Sequence, residues 1–220
     1  MSEVDVETRL AELAVDASVC TACRLSETRT QAVFADGSSV ADIMFIGEGP
    51  GFYEDREGLP FVGKAGMLLN RLLRQVGLSR ADVYIANVVK CRPPGNRDPR
   101  PDEIEACKHF LVEQIKLVDP VVVMTMGNFS TKLLLNTATG ITRTRGTVYP
   151  WWNRVVIPTF HPAAALRSGP AMMDTIRGDL ELAVRTVRQG MEGSSPAEEE
   201  PDGGGDDPVG QQPEQLGLFG

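Results

Sequence analysis

Apolar positions along the chain follow two periods. Val6, Leu10, Leu13 and Ala14 recur at helical spacing within residues 4–15, and Leu68, Leu69, Leu72, Leu73 and Val76 share one helical face within 64–76, which Gly77 ends. Residues 101–118 repeat the pattern through Ile104, Cys107, Phe110, Leu111 and Ile115, with Pro101 suited to the first turn and Asp102 and Glu103 to its positive end. Further helices are expected over 130–136 and 171–189. Between the helices stand short apolar runs at 42–48, 83–89, 121–126 and 154–160, the pattern of strands covered on both faces. Strands alternating with helices predict an α/β fold, a three-layer α/β/α sandwich around a central four-stranded parallel sheet.

Each predicted strand runs into a polar or glycine-rich segment. The first is the most conspicuous: residues 47–66 read GEGPGFYEDREGLPFVGKAG, a long, tightly turned loop. Open parallel sheets bind ligands at the carboxyl ends of their strands, and glycine lets backbone approach a ligand without a Cβ in the way. The stretch lacks the Gly-Lys-Ser/Thr ending of a nucleotide loop. Glu48 offers an acceptor there and Phe61 a flat apolar face. The other strands end at Asn87, at Gly127 and Asn128, and at His161 and Pro162.

Composition separates a folded part from a tail. Of the 220 residues, those beyond Gly190 hold eight acids and no Lys or Arg, which leaves 22 acids against 22 bases in residues 1–190. Residues 1–190 are expected to form one domain, 191–214 a disordered acidic linker and 215–220 a terminal peptide. Within the domain, residues 120–173 contain no acid but include Lys132, Arg143, Arg145, Arg154 and Arg167, which suits a side facing a polyanion. No apolar run approaches the ~20 residues of a membrane span. Residues 1–16 carry acids where a secretory signal has a basic start, so a cytoplasmic protein with reduced thiols is expected. Cys20, Cys23, Cys91 and Cys107 are the four cysteines; a CxxC pair closed by two distant thiolates fits either zinc or an iron–sulfur cluster.

Taken together, three segments resemble the motifs of the family 4 uracil-DNA glycosylases. These are Gly47-Glu48-Gly49-Pro50-Gly51 with Pro60-Phe61-Val62-Gly63-Lys64-Ala65-Gly66, then Asn87-Val88-Val89-Lys90-Cys91-Arg92-Pro93-Pro94, then His161-Pro162-Ala163-Ala164-Ala165-Leu166-Arg167. The resemblance covers about residues 17–187. It implies a DNA repair enzyme that flips uracil out of single- or double-stranded DNA and hydrolyses its N-glycosidic bond. It also favours a [4Fe-4S] cluster over zinc on the four cysteines.

The same resemblance assigns roles. His161 donates a hydrogen bond to uracil O2 as charge grows there, and Asn87 pairs with O4 and N3–H; as bare residues, these also fit a loop histidine and a turn former. Phe61 stacks on the base, the backbone of Gly47, Glu48 and Gly49 lines the pocket, and Glu48 orients water or steadies the sugar cation, with Glu54 and Asp55 as second choices. Leu166 wedges into the duplex from a short apolar loop and Arg167 lies near phosphate. Gly127, Asn128 and Ser130 hold phosphate through a helix start, and the cluster presents Lys90, Arg92 and Arg97 to DNA.

Gln215, Leu216, Leu218 and Phe219 resemble the short peptide by which bacterial repair proteins dock on the replicative sliding clamp. A monomer is expected. Rival readings are a non-catalytic iron–sulfur damage-binding protein, a glycosylase of broader deaminated-base specificity, and a relative that captures the abasic sugar covalently. The last carries an inserted His-containing loop, whereas residues 93–101 here are short and lack histidine.

Overall fold

The computed structural model describes residues 2–192; the expected linker, beyond the two residues that continue the last helix, and the terminal peptide lie outside them. Strands β1 (Asp36–Gly37), β2 (Ile43–Gly47), β3 (Tyr84–Asn87), β4 (Val122–Met126), β5 (Tyr149–Trp151) and β6 (Arg154–Thr159) form one sheet. The helices are α1 (Glu3–Val19), α2 (Phe52–Glu57), α3 (Lys64–Gln75), α4 (Pro101–Val118), α5 (Asn128–Leu134), α6 (Ile141–Thr144), α7 (Pro162–Ser168) and α8 (Pro170–Glu192).

The sheet order is β1-β3-β2-β4-β6-β5, so the expected count of four strands is corrected to six. The four expected strands make its parallel centre, and β1 and β5 add antiparallel edges. Neither edge leaves a hydrophobic run to read. β1 has two residues, and β5 has three with Pro150 in the middle, which an edge tolerates because no further strand needs its missing N–H.

Side chains alternate across the pleat. Met44, Ile46, Tyr84, Ala86, Val123 and Val156 meet α1 and α4 in one apolar cluster. Ile43, Phe45, Ile85, Val122, Met124 and Ile157 meet α3 and α8 in another. Strands β2, β3 and β4 are buried throughout, which leaves the strand ends as the place for polar chemistry.

Two segments expected as loops contain helices. Residues 47–66 fold α2 between Gly51 at its N-cap and Gly58, whose φ of 74° suits a residue without Cβ. His161 caps α7, with Pro162 in the first turn, so Leu166 sits on a helix. Among the described residues no helix is long and apolar enough to cross a membrane.

Candidate active site and cysteine cavity

Parallel β2, β3, β4 and β6 deliver Gly47, Asn87, Gly127 and His161 to one end of the sheet, with Gly47 in register beside Asn87. The Asn87 side chain is buried, and its Oδ1 has no hydrogen-bond partner among the described residues. Leaving such an oxygen unpaired costs about 1–3 kcal/mol, a cost that a ligand donor removes. A Cβ on Gly47 would lie 2.3 Å from Asn87 Oδ1 and 2.8 Å from Phe61 Cζ. Glycine at 47 therefore keeps open the space that the amide and the ring share.

Phe61 is held in an unusual backbone conformation, with φ of 54°. Arg80 fastens it. Its Nη1 donates to Phe61 O at 3.1 Å and to Asn70 Oδ1 at 3.2 Å, its Nη2 to Pro60 O at 2.8 Å, and its Nε to Asp36 Oδ2 at 2.7 Å. Glu54 Oε1 fixes the next turn by accepting from the Val62 and Gly63 N–H groups, each at 3.0 Å. A Cβ on Gly66 would fall 1.7 Å from Phe61 O, so α3 can pass behind the ring's backbone only with glycine there.

His161 faces this ring, with centroids 5.5 Å apart and planes inclined at 31°. Its Nδ1 accepts the Ala163 N–H at 3.1 Å, so the neutral imidazole carries its hydrogen on Nε2. Burial, with help from the Arg167 charge and against the pull of Glu54, pushes its pKa down to about 4. The group is a neutral donor at ordinary pH. Phe61, itself buried, thus stands with an unpaired amide oxygen on Asn87 and an imidazole N–H donor on His161.

Glu48 is half-buried, and its desolvation, the like charge of Asp98 and a hydrogen bond to Asp98 push its pKa up to about 7. The other two carboxylates named from the sequence are engaged. Glu54 holds the 62–63 turn, and buried Asp55 accepts from Thr30 N at 2.9 Å and Thr30 Oγ1 at 2.6 Å.

All four cysteines line one cavity, with Arg29, Lys90 and Phe110. Arg29 Nη1 donates to Cys91 Sγ at 3.0 Å and the Lys90 N–H to Cys107 Sγ at 3.3 Å. Burial raises both thiols, Cys107 to about 11. Among the described residues no three of His, Cys, Asp and Glu gather as a single metal ion needs.

A family model described as the uracil DNA glycosylase superfamily matches residues 34–181. Similar relatives are type-4 uracil-DNA glycosylases. The one from Thermotoga maritima is 49% identical over 151 residues, 68% of this chain and 79% of the relative. The one from Saccharolobus solfataricus is 46% identical over 181 residues, 78% and 82%, and the one from Sulfurisphaera tokodaii 45% over 182 residues, 77% and 82%. The chain belongs to the type-4 uracil-DNA glycosylase family.

In this family member the residues expected at DNA divide into two groups. Leu166, 44% exposed, and exposed Arg167 stand on α7 at the pocket end of the sheet. Gly127, with φ of 93°, packs so closely that a Cβ would meet His161 Cβ at 3.2 Å. The Asn128 side chain is turned to Ile141 N at 2.7 Å, and buried Ser130 donates to Met126 O at 3.2 Å. Any phosphate contact there falls to the first-turn N–H groups of α5.

Lys90 corrects its expectation. It is 1% exposed, its Nζ donates to Asn87 O at 2.8 Å and to Gln114 Oε1, and burial pushes its pKa down to about 8. An ammonium enclosed in this way cannot reach phosphate; it joins the cysteine cavity to the strand end bearing the amide. Arg97 is likewise engaged, by Glu103 through contacts of 2.6 and 2.8 Å.

Sequence reading missed Arg80, Asp98 and Arg29. Their partners lie far along the chain, Asp36, Pro60 and Phe61 for Arg80, Glu48 for Asp98 and Cys91 for Arg29, and only the glycines around Phe61 signalled that something must hold that loop.

Proposed function

We propose that the chain hydrolyses the N-glycosidic bond of uracil in single- or double-stranded DNA, releasing free uracil and leaving an abasic site for base excision repair. Membership of the type-4 family supports the reaction, and the unpaired buried oxygen of Asn87 carries the assignment of the pocket. Uracil offers a donor at N3 and an acceptor at O4, which match the oxygen and nitrogen of one carboxamide. Cytosine reverses both, so the wrong base leaves buried polar groups opposed, worth a few kcal/mol of discrimination.

Phe61 stacks on the extruded base, beside backbone from Gly47, Glu48 and Gly49. As the bond breaks, charge develops on uracil O2, and His161 Nε2–H stabilises it. A histidine already neutral before the reaction gives this hydrogen bond without first losing a proton. Residue 49 is glycine, so no side chain from there activates water. The reaction follows a dissociative course, with Glu48 steadying the sugar cation and orienting the water that adds to it.

Cys20, Cys23, Cys91 and Cys107 hold a [4Fe-4S] cluster. Support comes from four thiols lining one shared space and from N–H groups directed at two of the sulfurs. Such a cluster supplies a rigid tie between the end of α1 and the 91–101 loop. Leu166 wedges into the duplex and Arg167 meets phosphate. The enzyme works as a monomer in the cytoplasm, and Gln215, Leu216, Leu218 and Phe219 dock on the sliding clamp, a reading supported by their Gln-Leu-x-Leu-Phe pattern.

The test is to incubate the purified protein with oligonucleotides bearing one uracil and to probe for alkali-labile sites. Cleavage at the uracil position alone is expected; intact strands after alkali would overturn the reading.

A further inference from the structure

Beside the pocket, α2 carries a second set of flat side chains. Phe52 is 45% exposed and Tyr53 56% exposed, with their rings edge to face at 5.5 Å. Arg92 stands over the Phe52 ring at 5.1 Å and Arg56 at 5.7 Å. Arg92 Nε donates to Asn96 Oδ1 at 2.7 Å, and neither guanidinium has an acidic partner among the described residues. A single exposed phenylalanine needs no explanation. Two adjacent exposed rings with two unneutralised cations stacked on one of them do.

Their place in the fold points to an occupant. α2 follows β2 and Arg92 follows β3, so the group lies at the same end of the sheet as Asn87 and His161. Leu166 and Arg167 follow β6, which β4 separates from β2. A base held by Asn87 and Phe61 therefore lies beside this group, at the ends of β2 and β3, with β4 between those strands and the one that leads to α7. In a duplex the neighbouring base is stacked and paired, whereas an unpaired strand offers free base faces for stacking and phosphates for guanidinium.

We infer that Phe52, Tyr53, Arg56 and Arg92 form a stacking platform for an unpaired nucleotide next to the extruded uracil in single-stranded DNA. Tyr53 takes the base, while Phe52 supports it edge to face and holds the two guanidiniums for the flanking phosphates. The inference rests on the uracil-excision reading.

The experiment compares wild type, the double variant Phe52→Ala/Tyr53→Ala and the single variant Arg92→Gln. The substrates are a single strand with a central uracil and two shortened strands that keep neighbours on only the 5′ or only the 3′ side. On the full strand the double variant should raise KM about tenfold, with kcat and inhibition by free uracil unaltered. On one of the two shortened strands the difference from wild type should vanish. An unchanged KM, or a penalty that persists on both shortened strands, overturns the inference while leaving the excision reading intact. A wild type that releases no uracil overturns both. If the double variant does not fold, Arg92→Gln decides by the same criteria, since it leaves the apolar contacts in place.

Discussion

Asn87 and Cys91 stand four positions apart, yet the sites they belong to are completed differently. In the base pocket, the amide oxygen lacks a partner, Phe61 has a left-handed backbone, Glu48 is raised to about 7 and His161 is lowered to about 4. Each group is held in a state that costs free energy. In the cysteine cavity, two sulfurs already receive hydrogen bonds from Arg29 and the Lys90 backbone, and Lys90 itself is enclosed between two carbonyl acceptors. The contrast suggests that substitutions in the pocket cost rate and those around the cavity cost stability.

His161→Asn provides the largest expected effect. Asparagine keeps an N-cap acceptor for α7 but withdraws the ring N–H, so kcat should fall by about 10²–10³ while the melting temperature holds. Asn87→Ala should lower kcat/KM by about 10² without a fall in melting temperature, because it removes a buried oxygen that has no partner. Cys107→Ser should do the reverse, lowering iron content and melting temperature while kcat per iron-loaded molecule stays close to wild type.

The smallest effect is a shift in pH dependence. A carboxyl raised to about 7 works as a carboxylate above that value, so kcat should climb as pH rises through about 7. For stability the sign is opposite: the folded state is free of the charge penalty below the ordinary glutamate range and carries it in full once pH passes about 7. Asp98→Asn removes the neighbouring charge, which should move the kcat midpoint to lower pH with little change in its plateau. A midpoint that stays in place would remove Asp98 from the site.

The parallel centre of the sheet could be read from four apolar runs because strands buried on both faces carry their own signal. Gly47, Asn87 and His161 could be placed because each stands where such a run stops. What sequence could not convey was direction and reach. Lys90 resembles any surface cation until its stem is seen to follow the core to Asn87 O. Arg80 contacts residues 60 and 61 through a guanidinium whose target no periodicity encodes. β1 and β5 are strands only because a neighbour offers them an edge.

Binding of the free base tests most directly the claim that Asn87 Oδ1 is kept for the N3–H of uracil. Uracil and 3-methyluracil should be compared as inhibitors of excision by wild type and by Asn87→Ala, since methylation removes the N3 donor. Uracil should inhibit wild type far more strongly than 3-methyluracil, and the variant should largely lose this preference. Equal inhibition of the wild type by the two compounds would contradict it.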